Sequence, residues 1–196
     1  SEATPVVAAA AALLIETAAA HPELATDPQV TVTATRAGVT VRNAARVEVL
    51  RAVLMAGAAR VTGNGFGAAQ ITDYRAEPED RTAHGLDRRY GAGQLDVARS
   101  HRILLAGEQN AAEDGGAGAE GIALRGFDWD PAFGGAEGSN AVATYRFETG
   151  PEPVRLAASL TWNVRIDPGA DPGRFEPAAM LHDLDLAVRD VTAEPA

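Results

Sequence analysis

The sequence predicts a two-part chain: a helical first part, then an antiparallel β-sandwich. Three observations lead there. Val6 to Ile15 is a run of ten residues with no polar side. Ala44 to about Val61 repeats its apolar residues at helical spacing. Beyond residue 121 the period shortens toward two, and Gly, Pro and Asp crowd between short apolar runs.

The first helix spans residues 1 to about 20. Pro5 suits a first helical turn, where its missing N–H costs nothing. Ala8 to Ala12 let neighbouring elements approach closely. A helix without a polar face is expected to be buried on all sides. Its ten-residue apolar run is shorter than the roughly 20 residues a bilayer needs, so no membrane partner is expected. Pro22 drives His21 out of helical backbone and closes the element. The alternation Val30-Thr31-Val32-Thr33 and Val39-Thr40-Val41, split at Gly38, reads as a short hairpin.

Asn43 reads as the N-cap of the second helix. Val47, Leu50, Val53, Leu54 and Ala58 form its apolar stripe, with Arg46, Glu48, Arg51 and Arg60 toward solvent. Residues 62 to 89 are a glycine-rich, charged surface loop. Tyr90-Gly91-Ala92-Gly93 then makes a tight turn into a third helix, about Gln94 to Ala106. It carries neither a GxGxxG nor a Walker pattern, so a phosphate cradle is disfavoured. Gly107 to Gly121 has linker composition, and the domain boundary belongs there. The predicted sandwich strands are Val142 to Glu148, Val154 to Trp162 and Leu184 to Val188.

Composition narrows the functions. All 17 basic residues are arginine, against 27 acidic ones, for a net charge of -10. An acidic chain without a basic stripe is a poor match for nucleic acid, whose affinity rests on phosphate neutralisation. Zero cysteines exclude disulfides and thiolate metal sites and leave the compartment, secreted or cytoplasmic, open. No basic leader precedes the apolar run, so no signal peptide is expected.

Ser1 stands at the mouth of the first helix, where backbone N–H groups and the positive dipole end can stabilise an oxyanion. Ser1-x-Ala3-x-Pro5, opening a small-residue helix, resembles the nucleophile segment of subtilisin-like serine proteases (subtilases), Gly-Thr-Ser-x-Ala-x-Pro. Glu2 takes the place of a Met or other apolar residue. Two later stretches extend the resemblance. Tyr90-Gly91-Ala92-Gly93-Gln94-Leu95-Asp96 is similar to the family's Tyr/Phe-Gly-x-Gly-x-Val/Leu-Asp/Asn turn. Leu160-Thr161-Trp162-Asn163, then His182-Asp183-Leu184-Asp185-Leu186, is similar to the Leu-x-Trp strand and Asn-Asp-Leu-Asp-Leu loop of its C-terminal domain, with His182 for Asn.

The resemblance implies an α/β fold: residues 1–106 as the C-terminal helical part of a subtilisin-like three-layer domain, a linker over 107–120, and a jelly-roll-like β-sandwich accessory domain over 121–196. It implies a serine endopeptidase that hydrolyses peptide bonds through an acyl-enzyme on Ser1, with the Ser1 backbone N–H as one oxyanion-hole donor. In this family the triad Asp and His precede the serine, so an upstream segment outside this chain is the expected partner, with a peptide or protein as substrate. His21, His84, His101 and His182 match no catalytic position of the family. A serine without its base is a weak nucleophile, so this chain alone is expected to be inactive.

Two other readings compete. An N-terminal-nucleophile hydrolase would open a strand, not an alanine-rich helix, at its serine. A noncatalytic binding or structural module accounts for a sandwich but leaves the Ser1–Pro5 match unexplained. No cofactor is expected. Asp183 and Asp185 share one side of a strand and are weak calcium candidates, short of the six to eight oxygens calcium takes. The favoured reading is that they end a strand and satisfy turn N–H groups. Asp128 and Asp130, beside Trp129, are read the same way.

Overall fold

A computed structural model describes residues 3–25, 34–36, 39–60, 79, 82, 86–88, 90–113, 121–130, 133, 140–152, 155–163 and 184–191. Alanine is the best helix former, and α1, Ala3–Ala20, runs 18 residues, past the apolar run through Glu16 and Thr17. His21 leaves helical backbone at φ -123° before Pro22, and a 3-10 turn, Pro22–Leu24, sinks Leu24 into the core.

The expected all-round burial of α1 is not found. Its buried residues are Ala10, Leu14 and Ala18, a stripe at i, i+4 and i+8. That stripe faces α2 (Val47–Gly57), α3 (Val97–Leu105) and the 3-10 turn Asn43–Ala45. On the other sides Val6 is 58% exposed, Leu13 55%, and Val7 and Ile15 44% each. By length and composition α1 is also apolar enough to cross a membrane.

A short antiparallel hairpin precedes the second helix. Strands β1, Ala34–Arg36, and β2, Val39–Val41, pair with Thr35 opposite Thr40; β2 coincides with the predicted Val39–Val41, while the predicted Val30–Thr33 lies outside the described residues. Helix α2, Val47–Gly57, starts later than its periodicity predicts because Asn43 opens a 3-10 turn, leaving Arg46 at the N-cap. Its buried residues, Val49, Leu50, Val53 and Gly57, face α3, Val97–Leu105. Asp96 caps α3 by accepting from the Arg99 N–H at 2.9 Å.

The two helices meet closely at Gly57. A Cβ there would lie 2.8 Å from the Ser100 backbone N and 2.9 Å from its Cα, so no larger residue fits without movement. Ser100, fully buried, donates its hydroxyl to the Asp96 carbonyl at 2.9 Å. The turn before α3 is tied to the end of α2 by a two-way bridge. Ala59 N–H donates to Gln94 at 2.7 Å and Gln94 N–H to Ala59 at 2.9 Å. Gly93 (φ +130°) is required there, since a Cβ would meet the Ala59 oxygen at 2.5 Å.

The β-sandwich prediction is overturned. Among the described residues of the predicted sandwich the one strand is β4, Ala143–Thr144, paired antiparallel with β3, Ala112–Glu113. The described parts of the other two predicted strands, residues 155–162 and 184–188, carry no ladder. Leu156, Leu186 and Val188 are exposed, with no second sheet over them. Alternation specifies a strand's period but supplies no partner, and a lone extended segment has no buried face to fix it. The α/β three-layer expectation fails for the same reason. Both sheets are two-stranded and antiparallel, and the described residues hold no parallel sheet.

One core serves the helices and the segment after residue 121. Leu14, Ala18, Leu24, Val49, Leu50, Val53 and Leu104 form it with Phe127, and Trp129 packs at its margin.

Candidate functional site

Ser1 and Glu2 lie outside the described residues, as do His84, His182 and Asp183. The description starts at Ala3, the first residue of α1.

The described histidines lie elsewhere. His21 sits past the far end of α1, about 27 Å from its start at 1.5 Å per residue, too far to serve Ser1 as a base. There its Nδ1 lies 2.9 Å from Glu23 Oε1, on the surface. The Glu23 carboxyl is held below its ordinary range, first by its own backbone N–H and then by His21. His101 is half-buried midway along α3. Asp185 is exposed in an irregular stretch. Among the described residues no three His, Asp or Glu side chains gather closely enough to hold a metal.

Among the described residues a polar cluster lies between α2 and the segments that follow α3. Asn43, read from sequence as a helix cap, is fully buried and donates its Nδ2 to Glu108 Oε1 at 2.8 Å. Its Oδ1 accepts from Arg46 Nε at 3.1 Å. The Arg46 guanidinium, expected in solvent, stacks on the Trp129 ring 3.7 Å from its centre, a cation–π contact. Glu108, expected in a linker, is 7% exposed, and its N–H donates to the Leu24 carbonyl at 2.9 Å.

Around this cluster three segments are stitched together. Gln109 N–H donates to Phe127 at 2.7 Å, and Phe127 N–H to Gly107 at 3.1 Å. Ile122 N–H donates to Arg146 at 2.9 Å. Tyr145 donates its hydroxyl to Asp128 Oδ2 at 2.6 Å, and Asn140 donates to Asp130 Oδ2 at 2.8 Å. Asp128 Oδ1 accepts from the Trp129 N–H at 2.8 Å. Burial pushes the Asp128 carboxyl up to about 6. The bonds from Tyr145 and Trp129 oppose the rise, and the charges of Glu108 and Asp130 add to it.

Sequence reasoning missed this cluster because its partners are distant in the chain; Asn43 and Glu108 are 65 residues apart. The one local signal was Trp129 between two aspartates. A shallow, open concavity of about 530 Å³ lies beside the end of α3, lined by Arg102, Leu105, Ala106, Ala123, Leu124 and Arg125. Its walls carry no nucleophile and no general base. No family model, curated protein or solved structure matches the chain.

Proposed function

We propose that this chain carries the nucleophile of a subtilisin-like serine endopeptidase, with Ser1 attacking the scissile carbonyl and its backbone N–H helping to hold the oxyanion. The observation that carries this reading is the setting of the Ser1-x-Ala3-x-Pro5 motif. Its Ala3 and Pro5 lie in the first turn of an 18-residue, alanine-rich helix, and the first turn of a helix leaves N–H groups without intrahelical partners. The glycine-dependent turn and aspartate-capped helix at Tyr90–Asp96, held against α2, agree with the second motif of the resemblance.

The acid–base partners come from an upstream segment of the same encoded polypeptide. A histidine there takes the serine proton and passes it to the leaving amine, and an aspartate orients the imidazole. The exposed apolar sides of α1 supply a surface for that segment, since Val6, Val7, Leu13 and Ile15 gain stability by leaving water. The substrate is a peptide or protein.

The test is hydrolysis of an unstructured protein substrate by the full encoded polypeptide and its Ser1→Ala variant. The reading expects turnover that the variant loses by a factor on the order of 10⁶. Equal turnover by both forms would refute it and favour the noncatalytic module.

A further inference from the structure

We propose that the concavity at the end of α3 is a docking site for an acidic peptide bearing large apolar side chains. Its carboxylates would pair with Arg102 and Arg125, and its apolar side chains would cover Leu105 and Leu124. The inference does not depend on Ser1.

The chain itself holds the two walls of this site together. Arg102, Leu105 and Ala106 come from the last turn of α3 and its C-cap. Ala123, Leu124 and Arg125 come from the bend that precedes Phe127. The Gln109 side chain joins them: its Nε2 donates to the Ala106 carbonyl at 3.3 Å, and its Oε1 accepts from the Ala123 N–H at 3.0 Å. Gly126 lets the second wall pass this close, since a Cβ there would lie 2.5 Å from Gln109 Cγ and 2.8 Å from the Gly107 carbonyl oxygen. Phe127, next in the chain, is buried in the core and anchors that wall. The concavity is therefore formed without a ligand, and binding need not spend free energy on ordering it.

The lining is what selects the ligand. Leu105 and Leu124 are 41% and 62% exposed, apolar surface that gains stability by leaving water. Both arginines are exposed beside them. Arg102 Nε donates to the Ala98 carbonyl at 3.2 Å, and among the described residues neither guanidinium has a carboxylate partner. The helix-end carbonyls of Leu104, Ala106 and Gly107 already accept from Gly107 N–H, Gln109 and Phe127 N–H, so they do not compete for the guanidiniums. In a chain of net charge -10, a described lining with two arginines and no acid is a local positive spot. A guanidinium presents paired N–H donors that match a carboxylate, and the leucines favour one with apolar neighbours. A phosphate polymer would meet repulsion from the rest of the acidic surface.

Fluorescence anisotropy of a fluorescein-labelled peptide, Glu-Leu-Phe-Glu-Leu, titrated with the full encoded polypeptide tests the site. Saturable binding is expected, weakened about tenfold when the peptide carries Gln for Glu. Arg102→Glu with Arg125→Glu should weaken it at least about tenfold, and Leu124→Ser by about tenfold. These side chains are exposed, so the variants should melt with the wild type. The double arginine variant should in turn bind the peptide carrying Lys for Glu better than the wild type does, a gain that misfolding cannot produce. Absence of saturable binding, equal binding of the Glu and Gln peptides, or undiminished binding by the double variant would each overturn the proposal. So would arginine-dependent self-association, or arginine-dependent uptake by phosphatidylserine vesicles, in a protein that leaves the peptide unbound.

Discussion

Helix α1 is more uniformly apolar than either α2 or α3, yet the more amphipathic α2–α3 pair makes the closer contact. The α2–α3 contact closes on Gly57 and Ser100 with backbone atoms almost touching, and its capping and hydroxyl groups have partners. Helix α1 has a longer apolar surface but buries one stripe, Ala10, Leu14 and Ala18. The difference teaches that apolar content sets how much surface wants cover, while neighbours decide how much receives it. In α2 the polar residues mark the outside, so sequence alone orients the helix. In α1 nothing polar distinguishes one side from another between Thr4 and Glu16.

The comparison breaks most sharply at Leu14, whose side chain is fully buried. Leu14→Ala should lower the stability of this chain by about 2–5 kcal/mol in urea denaturation. Gly57→Ala should cost about 1–3 kcal/mol, because the added methyl must displace the α3 backbone and not a flexible side chain. Asn43→Ala should cost about 2 kcal/mol by leaving the buried Glu108 carboxylate without that donor. Asp96→Ala should cost about 1 kcal/mol through loss of the α3 cap. Leu13→Ala sharpens the contrast from the other side. In this chain its cost should stay within about 0.5 kcal/mol. In the full encoded polypeptide it should rise to about 2 kcal/mol or more if an upstream segment covers that face.

Much of the helical part was legible in the sequence. Pro22 marked the end of α1, and the Val39-Thr40-Val41 alternation marked the second strand of the hairpin. The spacing of Val47, Leu50 and Val53 gave α2, and Gly91 and Gly93 gave the turn into α3, which begins three residues later than read, at Val97 behind its Asp96 cap. These signals are local, each carried by backbone freedom or period within one turn. The β-sandwich was misread because Leu184 to Val188 alternates without a ladder to join. Asn43 was misassigned because its partner, Glu108, lies beyond the reach of any local pattern. The same holds for Arg46, which looks like a surface arginine until Trp129 is folded beneath it. At the candidate catalytic end the motif points to Ser1, and the described structure begins two residues later.

The most direct test is mass mapping of the adduct formed by a fluorophosphonate probe, which reacts with an activated serine. The account predicts one adduct on the Ser1 peptide when the proposed Asp- and His-bearing upstream segment is present, absent after heat denaturation and absent without that segment, since a serine without its base is a weak nucleophile. A folded full-length polypeptide that leaves Ser1 unmodified, or labelling on a different serine that supports the same activity, would contradict it.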